Sequence, residues 1–166
     1  MKNKQVYFIT QAAAIAALYV VLTFLANALG LANNAIQVRF SEALTILPFF
    51  TLSAVPGLTI GCLLSNILIG SAALDIVFGT IATLIGAIGT YLIGKIKLKG
   101  AKWLTPLPPI AANTFIVPWV LIKAYGITDA YWYLALTVGA GEVISCGILG
   151  LILLVTLNKH KNVIFK

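Results

Sequence analysis

Acidic residues are scarce in this chain, with four among 166 residues against eleven lysines and arginines. There is one histidine, His160, in a basic tail, and there are two cysteines, Cys62 and Cys146, both inside apolar segments. Cysteine in such surroundings behaves as a small hydrophobic residue. The sequence also contains no HExxH, CxxC, nucleophile-elbow or Walker motif, which argues against the common hydrolase, redox and ATP-hydrolysing sites. We therefore expect no catalytic residue, no metal site and no cofactor.

Charged residues of either sign are also rare, and this distinguishes the chain from soluble proteins. Hydrophobic residues make up 61% of the chain and charged residues 9%, and the mean hydropathy is +1.05. Soluble domains are about 45–50% apolar and about 25% charged. The composition predicts an all-α integral membrane protein, with one domain over residues 1–166 in a lipid bilayer. The formal net charge of +7 comes from short lysine clusters between apolar blocks, which is typical of topology signals and argues against nucleic-acid binding.

The apolar segments predict a bundle of six membrane spans. They cover residues 6–29, 43–55, 57–71, 75–94, 105–123 and 131–157. A span needs about 20 residues, so the short second and third blocks are either one broken helix or two short helices. The positive-inside rule favours two, because only six spans place the basic clusters at residues 2–4, 95–102 and 159–161 together in the cytoplasm. Both termini are then cytoplasmic. The predicted external loops are 30–41, 70–74 and 124–130.

Glu142 lies inside the sixth apolar segment, about 16 Å along the helix from its external start. A charged residue at the centre of a membrane helix costs about 2.5–3.5 kcal/mol on insertion scales, and such residues usually serve a function. Small residues precede Glu142 at positions 139–141 and leave room for a ligand or a neighbouring helix. We favour ligand binding; the alternative is a structural carboxyl, either protonated or bonded to another helix.

Glu42 and Asp75 each begin a helix that runs inward from the predicted external face. Helix N-termini favour carboxylates, so Asp75 could be an N-cap. Glu42 could equally pair with Arg39, the only arginine, three residues earlier. Both acids nevertheless map to the same end of the bundle, above Glu142, and this convergence makes them candidate ligand contacts.

Other polar and small residues add weaker candidates. Asn66 and Asn113 place amides within apolar segments, where they could contact a ligand or bridge helices. Trp119 and Tyr131 belong to a group of aromatic residues that could anchor the bilayer interface or line a pocket. In the first span, two pairs of alanines, Ala12 with Ala16 and Ala13 with Ala17, form small-xxx-small patterns that favour close helix packing, either within the bundle or against a partner subunit.

The segment Ile36–Phe50, IQVRFSEALTILPFF, is similar to the signature of the QueT family, and so are the segments Ala54–Cys62 and Leu74–Thr80. Members of this family are queuosine-precursor transporters that act as substrate-binding S components of energy-coupling factor (ECF) transporters. The resemblance implies a six-helix bundle of the bacterial cytoplasmic membrane that captures its ligand from outside. It also implies a transmembrane coupling subunit and two cytoplasmic ATPases as partners. The Ala12–Ala17 face resembles the patch by which S components dock on the coupling subunit.

The ligand implied by the resemblance is a 7-deazaguanine, either preQ1 (the aminomethyl precursor base) or queuine. A guanine-type edge offers two adjacent N–H donors to one carboxylate, and we assign this edge to Glu142. The cationic amine would face Glu42 or Asp75. Asn66 or Asn113 would serve the remaining polar atoms, and Trp119 or Tyr131 could stack on the ring.

Arg39 belongs to the same set, although we expect it to order the outer loop by pairing with Glu42 rather than to contact a cationic ligand. Two alternatives remain open at this point. The chain could be an S component for another vitamin or nucleobase, or it could be a structural membrane protein whose buried acids only bridge helices.

Overall fold

The computed structural model describes residues 2–31, 36–96 and 100–164, and within these ranges the ordered elements are helices without any strand. In chain order they are α1 (Lys2–Ala28), a 3-10 helix (Phe40–Phe49), α2 (Ala54–Ile69), α3 (Ala73–Lys95), a short 3-10 turn (Ala101–Leu104), α4 (Leu107–Tyr125), α5 (Tyr131–Glu142), a π-helical stretch (Val143–Leu149) and α6 (Gly150–Ile164). The all-α prediction is confirmed. Lys97, Lys99 and residues 32–35 of the predicted external loop lie outside the described ranges.

Four of the helical stretches are long and apolar enough to cross a membrane. They are Asn3–Ala28, Ala73–Lys95, Ala101–Tyr125 and Tyr131–Lys161, the last of which runs through α5, the π-helical stretch and α6. The 3-10 helix and α2 are shorter apolar helices. They correspond to the second and third predicted spans, so the count of six spans and the cytoplasmic termini stay predictions.

The second predicted span differs from a regular α-helix. It is a 3-10 helix of ten residues, which rises about 2.0 Å per residue instead of 1.5 Å and therefore covers about 20 Å. The helix contacts α1, α2, α3, α6 and the π-helical stretch, so it occupies the centre of the bundle. Residues on all of its sides are buried, including Ile46 and Thr45 at 0% exposed. This central position carries Ser41 and Glu42 into the interior.

Helices α1 and α2 approach closely because α2 offers glycines to the alanines of α1. A Cβ atom at Gly57 would lie 2.8 Å from the carbonyl oxygen of Ala12, and one at Gly61 would lie 3.1 Å from the Cα atom of Ala16. Ala12 and Ala16 therefore pack against α2, with Ala16 buried and Ala12 half-buried, whereas Ala13 and Ala17 are exposed. The four alanines predicted as one face thus divide between two environments.

Contacts between elements define two ends of the bundle. At one end, the hydroxyl of Tyr7 donates to the carbonyl oxygen of Ile164 (2.8 Å), which brings together the first and last helices close in sequence to Lys4 and Lys161. The other end holds the junctions of α2 with α3 and of α4 with α5, together with the segment before the 3-10 helix. These are the predicted external loops, and the candidate site lies among them.

Candidate functional site

A cavity of about 410 Å³ lies at the predicted external end, between α1, α2, α3, α4 and the segment that leads into the 3-10 helix. Its polar lining includes Tyr19, Asn27, Arg39, Ser41, Asn66 and Asp75. Small-molecule sites usually enclose about 300–1,000 Å³ and combine apolar walls with a few polar groups. The cavity therefore has the size and the lining of a site for a small molecule.

Asp75 forms part of the cavity wall through a contact between α3 and α4. Its Oδ2 atom accepts a hydrogen bond from the hydroxyl of Tyr125 (2.8 Å), and that hydroxyl accepts one from the backbone N–H of Ala72 (3.2 Å). Ala72, and not Asp75, is the N-cap residue of α3. The N-cap role considered for Asp75 is therefore wrong, and its carboxylate lies where a bound molecule could reach it.

Arg39 does not pair with Glu42 as the sequence suggested. Its Nη2 atom donates to Oε1 of Gln37 (3.2 Å), and its backbone N–H donates to the hydroxyl of Ser145 (3.1 Å). No ion pair joins Arg39 to an acid among the described residues. Glu42 instead accepts a hydrogen bond at Oε1 from the hydroxyl of Tyr19. The 3-10 helix causes this difference, because it turns Glu42 into the bundle while Arg39 stays at the cavity.

Behind Tyr19 lies a buried cluster made by Glu42, Glu142 and Cys146. Ligand atoms of these three side chains all lie within 4.8 Å of one another. Cys146 Sγ donates to Oε2 of Glu142 (3.1 Å), and Asn113 from α4 lies beside both carboxyl groups. Within the described ranges this is the one trio whose spacing would suit a metal ion. The structure thus brings Glu42 together with Glu142, whereas Asp75 lies in the cavity wall.

The backbone around Glu142 explains how the cluster forms. α5 ends at Glu142, and the helix continues as a π-helical stretch, a local widening that is frequent at functional sites. The preceding glycine, Gly141, allows α5 to touch the segment before the 3-10 helix, since a Cβ atom there would fall 2.0 Å from the carbonyl oxygen of Gln37. The small residues before Glu142 therefore make room for a neighbouring segment of this chain.

Five predicted residues are not in the cavity lining: Glu42, Glu142 and Asn113 belong to the buried cluster, and Trp119 and Tyr131 lie elsewhere. Trp119 packs edge-on against Phe78, with ring centroids 4.8 Å apart, and is 40% exposed. The hydroxyl of Tyr131 donates to the carbonyl oxygen of Phe115 (2.8 Å). The cavity instead has Tyr19 and Tyr125 in its wall, two residues that the sequence reasoning did not select.

A sequence signal for Tyr19 does exist. Tyr19, Thr23 and Asn27 are spaced four residues apart along α1, and side chains at this spacing lie on one face of a helix. All three line the cavity. A polar stripe on an otherwise apolar membrane helix is therefore the pattern that identifies the contribution of α1.

A sequence model of the family described as QueT transporter matches residues 9–159. The chain belongs to the QueT transporter family. Among curated proteins, the queuosine precursor transporter QueT of Lactococcus lactis subsp. cremoris (strain MG1363) is 35% identical over 98 residues, which cover 58% of this chain and 57% of that protein. The aligned part thus spans little more than half the length of the relative. No solved structure matches the chain.

Membership of the QueT family confirms the resemblance found in the sequence. It also agrees with the lack of catalytic motifs, because the family is one of transporters and not of enzymes. In this QueT-family chain, the residues that carried the resemblance, Ile36–Phe50, include the 3-10 helix together with Arg39 and Ser41 of the cavity wall. The segment that carried the resemblance thus contributes residues to the cavity wall.

Proposed function

We propose that the chain is the substrate-binding subunit of an ECF-type ABC importer in the bacterial cytoplasmic membrane. It captures a queuosine precursor, a 7-deazaguanine such as preQ1 or queuine, from outside the cell for ATP-driven uptake with partner subunits. Family membership and the name of the relative support this proposal. The observation that carries it is the cavity at the end of the bundle predicted to be external, whose wall holds Asp75, Asn66 and Arg39.

The chemistry of the cavity suits a small cationic base. Asp75 offers a carboxylate at 9% exposure, and Asn66 adds an amide that can both donate and accept. A 7-deazaguanine carries N–H donors on its guanine-type edge, and preQ1 also carries a cationic amine. A carboxylate that accepts from charged or paired N–H donors forms strong hydrogen bonds. We assign the amine to Asp75, which lines the cavity.

Glu42 and Glu142, with Asn113 beside them, are assigned to the guanine edge. Their carboxyl groups lie behind Tyr19, so the edge reaches them when the tyrosine hydroxyl gives up its hydrogen bond to Glu42. Tyr19 and Tyr125 line the cavity and are better placed to stack on the base than Trp119 or Tyr131.

Binding of radiolabelled preQ1 to the purified chain tests the proposal. Glu142→Gln and Asp75→Asn should each weaken binding at least tenfold, which is about 1.4 kcal/mol, without lowering the melting temperature. Asp129→Asn is the matched control, because Asp129 is the remaining acid and is exposed, and its affinity should equal that of the wild type. If a vitamin binds and 7-deazaguanines fail to displace it, the chain serves another substrate. If Glu142→Gln changes stability alone, the acids are structural.

Docking on the coupling subunit is proposed for the exposed alanines of α1. Ala13 and Ala17 are exposed, whereas Ala12 and Ala16 pack against α2, so only the first pair is free to meet a partner. The double variant Ala13→Leu, Ala17→Leu should retain preQ1 binding and lose co-purification with the coupling subunit. Ala28→Leu, exposed at the other end of α1, is the control. If the double variant still co-purifies with the coupling subunit, this face of α1 contacts lipid and not the partner.

A further inference from the structure

The buried cluster behind Tyr19 brings two carboxyl groups together with little to balance their charge. Glu42 is 2% exposed and Glu142 is 6% exposed, and their carboxyl oxygens lie within 4.8 Å of each other. Two carboxylates that share a buried site repel each other, and one of them commonly keeps its proton. Distance and burial alone therefore favour a singly protonated pair.

A second observation points to a ligand at this pair. Oε2 of Glu42 is buried and has no hydrogen-bond partner among the described residues, and the same holds for the hydroxyl of Ser41, which is 0% exposed and lines the cavity. Buried polar atoms are nearly always hydrogen-bonded. These two unpartnered oxygens mark a place where the N–H donors of a bound molecule would fit.

The groups around the pair come from five elements. They are Tyr19 of α1, Cys62 of α2, Arg39 before the 3-10 helix, Asn113 of α4 and Cys146 of the π-helical stretch. Arg39 is the only cation among them, and Asp75 of α3 also acts on it. Of the described lysines, Lys123 is at the cavity end, in the last turn of α4, but it is not among the groups that act on Glu42 or Glu142. One guanidinium therefore faces three carboxyl groups, which leaves an excess of negative charge if all of them ionise.

We propose that Glu42 and Glu142 hold one proton between them in the empty protein, and that a ligand with a cationic or doubly donating N–H edge replaces it. The inference rests on the proposed function, because it concerns the same ligand. On capture, the carboxylic acid releases its proton to water, and the resulting carboxylate accepts hydrogen bonds from the N–H groups of the ligand. The pair thereby selects N–H donors over ligands that present only acceptors.

A proton suits the cluster better than a metal ion does. Cys146 Sγ donates to Oε2 of Glu142 and lies 3.5 Å from the carbonyl oxygen of Glu42, while the hydroxyl of Thr45 contacts the same sulfur (3.4 Å). This geometry is that of a thiol within a hydrogen-bond network. A metal ion would instead require a thiolate, which would add a third negative charge to the site.

Infrared spectroscopy of the ligand-free protein tests the first half of the proposal. The carbonyl stretch of a protonated carboxylic acid should be present and should disappear as the pH rises. It should be absent from both Glu42→Gln and Glu142→Gln, because the remaining carboxyl then ionises beside Arg39, and it should persist in Asp75→Asn. Absence of the band from the wild type, or its survival in both glutamine variants, would overturn the proposal.

Calorimetry with preQ1 tests the second half. Titrations in two buffers of different protonation enthalpy, at a pH where the infrared band is present, should show release of about one proton per ligand. Affinity should then weaken by up to about tenfold for each unit of decreasing pH. Capture without proton release would overturn the proposal and leave the proposed function intact. The proposal would also be overturned if elemental analysis of the wild type found a stoichiometric metal that is lost in Glu142→Gln. If preQ1 does not bind, the proposed function fails, and the infrared result still decides whether the pair holds a proton.

Discussion

Replacing Tyr19 with phenylalanine should remove one hydroxyl from the centre of the bundle and leave the aromatic ring in place. That hydroxyl donates to Oε1 of Glu42, while Oε2 has no hydrogen-bond partner among the described residues. The variant therefore strips Glu42 of the donor that α1 supplies. A hydrogen bond to a charged group contributes about 1.5–3 kcal/mol, and one to a neutral group about 0.5–1.5 kcal/mol. Because one carboxyl group of the Glu42–Glu142 pair is ionised and the other is protonated, we expect an intermediate value, a loss of about 1.5 kcal/mol in the free energy of unfolding.

The two buried cysteines provide the assay. Cys62 and Cys146 are free and are 2% and 0% exposed, so a fluorogenic thiol reagent reports their exposure as the detergent-solubilised protein is heated. A change of 1 kcal/mol shifts the melting temperature of a chain of this size by about 2–4 °C, which predicts a decrease of about 3–6 °C for Tyr19→Phe. An unchanged melting temperature would refute the reasoning.

Tyr7→Phe is the matched control for this substitution. It also removes one tyrosine hydroxyl and one hydrogen bond, the 2.8 Å bond to the carbonyl oxygen of Ile164, but Tyr7 is 44% exposed. Water can replace the lost bond there, so the shift should be below about 1 °C. In a double-mutant cycle with Glu42→Gln, a coupling energy of at least about 0.5 kcal/mol would locate the effect in the Tyr19–Glu42 contact.

Two further predictions address packing and the site. Gly61→Ala should destabilise the protein by about 1–3 kcal/mol through overpacking, because the new methyl group would lie 2.7 Å from Cβ of Tyr19; Gly147→Ala, whose methyl group would meet only a side chain at 3.7 Å, should cost nothing in the same thermal assay. Tyr125→Phe should weaken preQ1 binding at least threefold in the radioligand assay, because the carboxylate of Asp75 loses the hydroxyl that orients it. Trp119→Phe should leave affinity unchanged, since Trp119 lies outside the cavity lining, and a comparable loss in this variant would contradict the assignment.

The composition was enough to predict a helical membrane protein, because a chain that is 61% hydrophobic and 9% charged cannot form an ordinary soluble domain. The segments Ile36–Phe50, Ala54–Cys62 and Leu74–Thr80 were enough to indicate the family. The sequence also identified the acids as candidate site residues, since a carboxyl group inside an apolar helix is costly and needs a partner. These inferences succeed because they depend on what the residues are and not on which helices meet.

Only the tertiary structure decided which partner each polar side chain has. Helical periodicity places Arg39 near Glu42, but the 3-10 helix turns Glu42 toward Tyr19, 23 residues earlier in the chain. The π-helical stretch then brings Cys146 and Glu142 against it from the last helix.

The same limit applies to the alanines of α1. Their spacing is equal in sequence, yet Ala12 and Ala16 pack against the glycines of α2, whereas Ala13 and Ala17 stay exposed. The sequence by itself determined the membrane class, the family and the set of polar candidates. Their grouping into a cavity and a buried acid pair was decided by the packing of helices, because periodicity defines the faces of each helix and only contacts between helices decide which faces meet.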